Sequence, residues 1–117
     1  MATITLYGIK NCDTMKKART WLDDWQIAYR FHDYKAEGID AASLGRWVEA
    51  LGWEAVLNRA GTTFRALAPA EKTGLTAERA IALMLAQPAM IKRPILDRGG
   101  QYLAGFKPAL YEAAFSA

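Results

Sequence analysis

The chain has 117 residues, 52% of them hydrophobic and 23% charged, which fits one ordinary folded domain and excludes a disordered chain. Its 15 Lys and Arg against 12 Asp and Glu leave a formal charge of +3, too small and too scattered to argue for nucleic acid. One Cys and one His exclude an internal disulfide and cannot supply the four ligands of a structural zinc, and no apolar run approaches the roughly 20 residues that span a bilayer.

Thr3 to Tyr7 alternates polar and apolar residues, which predicts a strand. From Asp13, apolar Met15, Ala18, Leu22 and Trp25 recur at helical spacing, with Lys16, Lys17, Arg19 and Asp23 on other faces. Ile27 to His32 reads as a second strand with Tyr29 and Phe31 on one side, completing a β-α-β unit of parallel crossover size.

The middle is predicted helical. Asp40 is placed to cap a helix with the stripe Leu44, Trp47, Val48 and Leu51, which Gly52 ends. Gly61-Thr62-Thr63 breaks the chain before a short turn at Phe64 to Leu67. Thr76 caps a helix carrying Ala80, Ile81, Met84 and Leu85 that stops before Pro88. Asp97-Arg98-Gly99-Gly100 separates the apolar runs 94–96 and 102–104, a hairpin signal, because glycine tolerates the positive φ of tight turns. Pro108 suits the first turn of a last helix bearing Leu110, Ala114 and Phe115. There are no repeats, low-complexity tracts or linkers.

The one cysteine lies in Gly8-Ile9-Lys10-Asn11-Cys12-Asp13-Thr14-Met15-Lys16-Lys17-Ala18, between the first strand and the first helix. A lone cysteine in an arbitrary chain is more often buried and inert, but here Asn11, Asp13 and Thr14 surround it. A thiol reacts as its anion, and a helix start supplies unpaired amides and partial positive charge, with Lys10 and Lys16 close by. Asp13 opposes that effect. Spacing excludes three chemistries: Met15 occupies the second position of a C-x-x-C pair, Ala18 the place of a phosphatase loop's arginine, and His32 lies on a strand leading away, where it reads as an ordinary strand residue. What remains is a monothiol that takes its second thiol from outside.

The segment around Cys12, with Leu57-Asn58-Arg59, Ile91-Lys92-Arg93-Pro94-Ile95 and Gly105-Phe106-Lys107-Pro108, resembles the arsenate reductase (ArsC/Spx) family across essentially the whole chain. Within it, the likeness is greatest to the YffB-type small proteins regarded as glutathione-dependent thiol reductases. The resemblance implies an α/β, thioredoxin-like (glutaredoxin-like) fold, with a four-stranded mixed sheet in a single domain, 1–117. A helical insertion at about 38–90 would divide the β-α-β part from the β-β-α part.

By the same resemblance Cys12 is the catalytic residue. Arg59 and Arg93 correspond to oxyanion- or glutathione-holding arginines, Pro94 to the cis proline beside the thiol, and Lys107 stands where arsenate reductases carry a third arginine. Lys10 and Asn11 complete the expected binding set. Read from sequence alone, Arg59 and Arg93 fit solvated surface positions better than a site, and the aromatics Trp21, Trp25, Trp47, Tyr29 and Phe31 fit core better than a ligand platform. Lysine at 107 keeps charge but loses the bidentate fork that grips an oxyanion. The implied activity is a glutathione-dependent thiol reductase with glutathione as co-substrate and no bound cofactor or metal. Partners would be glutathione, glutaredoxin and a small-molecule or protein thiol, with no nucleic acid or membrane. The alternatives are a glutathione/glutaredoxin-dependent arsenate reductase and an Spx-like regulator binding RNA polymerase, the latter disfavoured by the missing C-x-x-C. A cytoplasmic monomer is expected, since the N-terminal residues lack the apolar run of a signal peptide.

Overall fold

The computed structural model describes residues 3–10 and 12–116. The chain divides into two units, Met1–Glu37 with Arg93–Ala117, and Gly38–Lys92. The first carries a four-stranded sheet of order β2-β1-β3-β4.

Strand β1 (Ile4–Gly8) extends one residue beyond the alternating stretch. A Cβ on buried Gly8 would land on the thioether of Met15, so glycine lets the following helix close onto the strand end. Helix α1 (Asp13–Asp24) buries Met15, Ala18 and Leu22 as its spacing requires. Trp25 does not join them. It lies past the helix end, 44% exposed, stacked on Trp21 at 4.5 Å. The helix stops in a paired turn: Gln26 adopts φ 57, its N–H bonds Asp23 O at 3.0 Å, and Ile27 N–H reaches Leu22 O at 2.9 Å.

That turn also explains why β2 is Arg30–Asp33 rather than the expected 27–32. Ile27 is occupied in closing the helix, and pairing begins at Arg30, opposite Thr5. Strands β1 and β2 are parallel, with Gly8 opposite Asp33. A four-residue helix α2 (Tyr34–Glu37) follows at once.

The second unit is a helical block, α3 (Ala41–Leu51), α4 (Trp53–Val56), α5 (Thr62–Arg65), α6 (Pro69–Lys72) and α7 (Ala77–Ala86), closed by a 3-10 turn at Pro88–Met90. Asp40 caps α3 by accepting from Ser43 N–H at 2.8 Å, and Thr76 caps α7 through Arg79 N–H at 3.2 Å. Gly52 ends α3 at φ 88, and Leu44, Trp47, Val48, Ala80 and Met84 are buried. Leu85, expected on the inward stripe, is exposed. An isolated antiparallel bridge, Leu57 to Ile91, was not signalled by pattern; Asn58 N–H to Met90 O at 2.8 Å and Lys92 N–H to Val56 O at 2.7 Å flank it.

In the first unit, β3 (Ile95–Arg98) pairs antiparallel with β1, and β4 (Tyr102–Ala104) with β3. The turn between them uses Gly99 at φ 64 and Gly100 at φ 99, held by Gly100 N–H to Asp97 Oδ1 at 2.9 Å. Helix α8 (Pro108–Phe115) turns a different side inward from the one expected. Tyr111 is fully buried and Leu110 is 45% exposed. Tyr111 and Phe115, four apart, share the inner face, and a one-residue offset turns Leu110 outward. Trp21 and Phe106 meet Tyr111 edge-on at 5.3 and 4.7 Å, within the range of favourable aromatic pairs. Leu6, Met15, Ala18, Leu22, Leu96 and Tyr111 form the core between sheet and helices. This β-α-β and β-β-α arrangement around a mixed sheet is the thioredoxin-like fold.

Candidate active site

Three chain segments meet at one end of the sheet by topology. Strand β1 runs toward the loop before α1, parallel β2 ends beside it, and antiparallel β3 starts there, with Ile95 opposite Tyr7. Cys12, Tyr34 and Arg93 follow or precede these strand ends.

Cys12 is the N-cap residue of α1, with extended φ −132 and ψ 128. Its N–H donates to Lys10 O and its carbonyl accepts from Lys16 N–H, both at 3.0 Å, which fixes the thiol at the first turn. The side chain is half-buried and makes no capping hydrogen bond. Burial alone would push the thiol's pKa up, but the Met15 and Thr14 amides and the Arg93 guanidinium outweigh it and hold it below the ordinary value. The cation acting on the sulfur is thus Arg93, distant in sequence. Lys10 is exposed and supplies a backbone carbonyl.

Arg93 is half-buried and joined through a cis peptide bond to buried Pro94, as the family resemblance implied. Pro94 O accepts from Gly105 N–H at 2.8 Å, tying this turn to the segment that leads into α8. Lys107 is the N-cap of α8, exposed and without a side-chain cap. Lys10 borders an open cleft of about 270 Å³ with Ile9, Asp33 and Lys35. Asn11 lies outside the described residues. Arg59 belongs to the second unit, where its guanidinium lies over the Trp53 ring at 5.3 Å.

Tyr34 is the residue sequence reasoning missed. Its backbone is locked by Asp33, which accepts from Lys35 N–H at 2.9 Å, and by Glu37, which accepts from Asp33 N–H at 3.2 Å. The side chain is 2% exposed, and Arg93 and Cys12 both act on its hydroxyl. One tyrosine among several aromatics in the chain carries no signal of that kind; only the sheet topology supplies it. His32 is a strand residue as expected, its ring 4.9 Å from that of Tyr7 and Nδ1 3.8 Å from Glu37 Oε1.

The family model described as the ArsC family matches residues 7–114. The chain belongs to the ArsC family. It is similar to the solved structure of a YffB protein, 64% identical with a TM-score of 0.93, covering 96% of this chain and 98% of that one. An arsenate reductase (ArsC) related protein from Brucella melitensis is 57% identical with a TM-score of 0.78, covering 98% and 96%. An uncharacterized protein from Haemophilus influenzae is 42% identical over 97% of this chain and 99% of its own length.

Proposed function

We propose that this ArsC-family protein is a thiol-based reductase working as a glutathione-dependent monothiol oxidoreductase. The observation that carries the reading is Cys12 at the start of α1, its anion favoured by two helix amides and Arg93, in a chain with no second cysteine. The Cys12 thiolate attacks a substrate disulfide R–S–S–R′, forming Cys12–S–S–R and expelling R′S⁻. A glutathione thiolate then attacks the sulfur of R, restoring the Cys12 thiolate and leaving R–S–S–G. Arg93 lies at the thiol and orients the incoming chain, next to the cis bond to Pro94, while Lys10 and Lys107 offer cations to its carboxylates. A single thiol suits a reducing, cytoplasmic setting.

The test is intact-mass analysis after incubation with oxidised glutathione. The expected result is one added glutathionyl group, absent in Cys12→Ser. An unmodified mass, with Cys12 still alkylated by iodoacetamide, would reject the glutathione step.

Arsenate reduction is the second reading, supported by the arsenate reductase relationship named for the Brucella protein. Lys107 disfavours it, because a point charge replaces a bidentate fork. Lys107→Arg should raise any arsenate turnover; robust turnover by the unchanged protein would reverse the order of the two readings.

A further inference from the structure

A groove of about 410 Å³ runs beside helix α1, wholly within the first unit. Its apolar lining comes from Trp21, Phe106 and Pro108, and its charged lining from Lys16, Lys17 and Asp24, all three exposed. Trp21 and Phe106 are half-buried, and both meet fully buried Tyr111 edge-on, so the core holds these rings in place. Exposed Trp25, stacked on Trp21, continues the apolar surface past the helix end. Among the described residues neither lysine has an ion pair, and two lysines against one carboxylate leave the lining net positive.

Both walls of the groove begin at the thiol. Lys16 N–H bonds the Cys12 carbonyl at 3.0 Å, so the α1 wall starts one turn from the cysteine. The opposite wall, 106–108, follows Gly105, whose N–H bonds Pro94 O at 2.8 Å, and Pro94 is the residue after Arg93. Cys12, Trp21 and Phe106 all pack against one core cluster. Glutathione accounts for little of this lining, because it has carboxylates, an amine and amides but no apolar side chain.

We propose that the groove docks the polypeptide segment flanking the disulfide that Cys12 attacks, making the substrate class a protein disulfide with an acidic and a large apolar side chain near the half-cystine. The inference rests on the proposed thiol exchange and specifies its R group: R is a polypeptide, its sulfur bonds to Cys12, and R′S⁻ leaves. At about 1.5 Å of helix rise per residue, Lys16 and Lys17 stand about 6–8 Å along α1 from Cys12, and Trp21 about 13 Å. A chain extended at about 3.3 Å per residue covers those spans in about two and four residues. Side chains two and four positions from the half-cystine share one face of an extended segment. The acidic one meets the lysines, and the apolar one covers Trp21 and Phe106.

The experiment uses end-blocked peptides whose cysteine is joined by a disulfide to thionitrobenzoate, with glutamate two and phenylalanine four residues away, made in both chain directions. Attack on the peptide sulfur forms the Cys12–peptide disulfide and expels the coloured thionitrobenzoate anion, which times the reaction below saturation. In at least one direction this peptide should react about tenfold faster than one with glycine at both positions, the scale of partly burying one aromatic side chain. Lysine in place of the peptide glutamate should slow it about twofold to fivefold, as for an exposed charge pair. Lys17→Glu should invert that charge preference. Thr20→Arg, which fills the groove from an exposed lining position, should remove the advantage of phenylalanine. In both variants the rates with oxidised glutathione and with iodoacetamide should stay within about twofold.

Equal rates for the glutamate–phenylalanine and glycine peptides in both directions would overturn the proposal, as would a loss in the two variants shared equally by every peptide and by iodoacetamide. Should Thr20→Arg fail to fold, the peptide series on the unchanged protein decides. If oxidised glutathione forms no adduct but the peptide preference holds, the glutathione reading falls and the groove stands. If the adduct forms and the peptides do not differ, the groove falls and the glutathione reading stands.

Discussion

Helices α1 and α3 start from similar backbone and put it to different uses. Cys12 and Asp40 are both N-cap residues in the extended region, at φ −132 and −113. At α3 the Asp40 carboxylate accepts from Ser43 N–H, and the free amides of the first turn are partly satisfied within the chain. At α1 no side chain makes a capping hydrogen bond, and the Met15 and Thr14 amides instead favour the anionic form of the Cys12 sulfur. A helix start can be closed for stability or left available for chemistry. The difference lies in one side chain, reinforced at α1 by Arg93.

The strongest way to break this contrast is to give α1 an ordinary cap. Cys12→Ser should abolish mixed-disulfide formation with oxidised glutathione, read by intact mass. The same change should hold or raise thermal stability by up to about 1 kcal/mol, since serine is a preferred N-cap. A variant that still gains a glutathionyl group would place the reactive atom elsewhere, and the contrast would collapse.

Next in size is the arginine. Arg93→Ala should raise the thiolate titration midpoint, followed at 240 nm, and slow exchange with oxidised glutathione roughly ten- to a hundredfold, one hydrogen-bonded charge's worth. Because Arg93 is half-buried, stability should fall by no more than about 1 kcal/mol, the usual cost of a point substitution. Loss of folding with an unchanged titration would make Arg93 structural.

The two caps also differ in the pH range where they contribute. The folded Cys12 pKa lies below its unfolded value, so its contribution is fully present above the unfolded pKa near 8.5 and lost as pH falls through the folded value. The stability difference between the unchanged protein and Cys12→Ser should therefore shift in favour of the unchanged protein as pH rises through that window. Asp40 follows the same sign at lower pH. Its pKa is lowered by the Ser43 amide, so its contribution holds above the ordinary carboxylate range and fades as acid protonates it. Asp40→Asn keeps a capping oxygen and should flatten the acid limb of the melting-temperature profile, the smallest effect of the set. An acid limb equal to that of the unchanged protein would assign it to other carboxylates.

The local part of this design was open to reading from sequence. Helices α1, α3 and α7 and the Gly99-Gly100 turn follow from spacing, caps and glycines, which act over a few residues. Cys12 stood out because polar neighbours and a helix start surround it. Errors arose where neighbours in space decide: Trp25 left the α1 stripe when the chain turned back, and Tyr111 displaced Leu110 because Trp21 and Phe106 line that side of α8. Arg93 was identified through family resemblance, whereas its effect on Cys12 and the burial of Tyr34 require β3 and β2 to lie beside β1. No window of sequence contains that juxtaposition.

Strand β1 takes one neighbour, β2, from the next stretch of chain and the other, β3, from near the opposite end, Ile4 meeting Arg98. On a ribosome, Cys12 emerges early and Arg93 only after the whole helical block has been made. Until then the thiol has at most the α1 amides to favour its anion, and pairing at such sequence separation forms late in folding. The nascent chain therefore lacks the Arg93 charge that favours the Cys12 anion in the finished protein, and that contribution arrives only with the completed sheet.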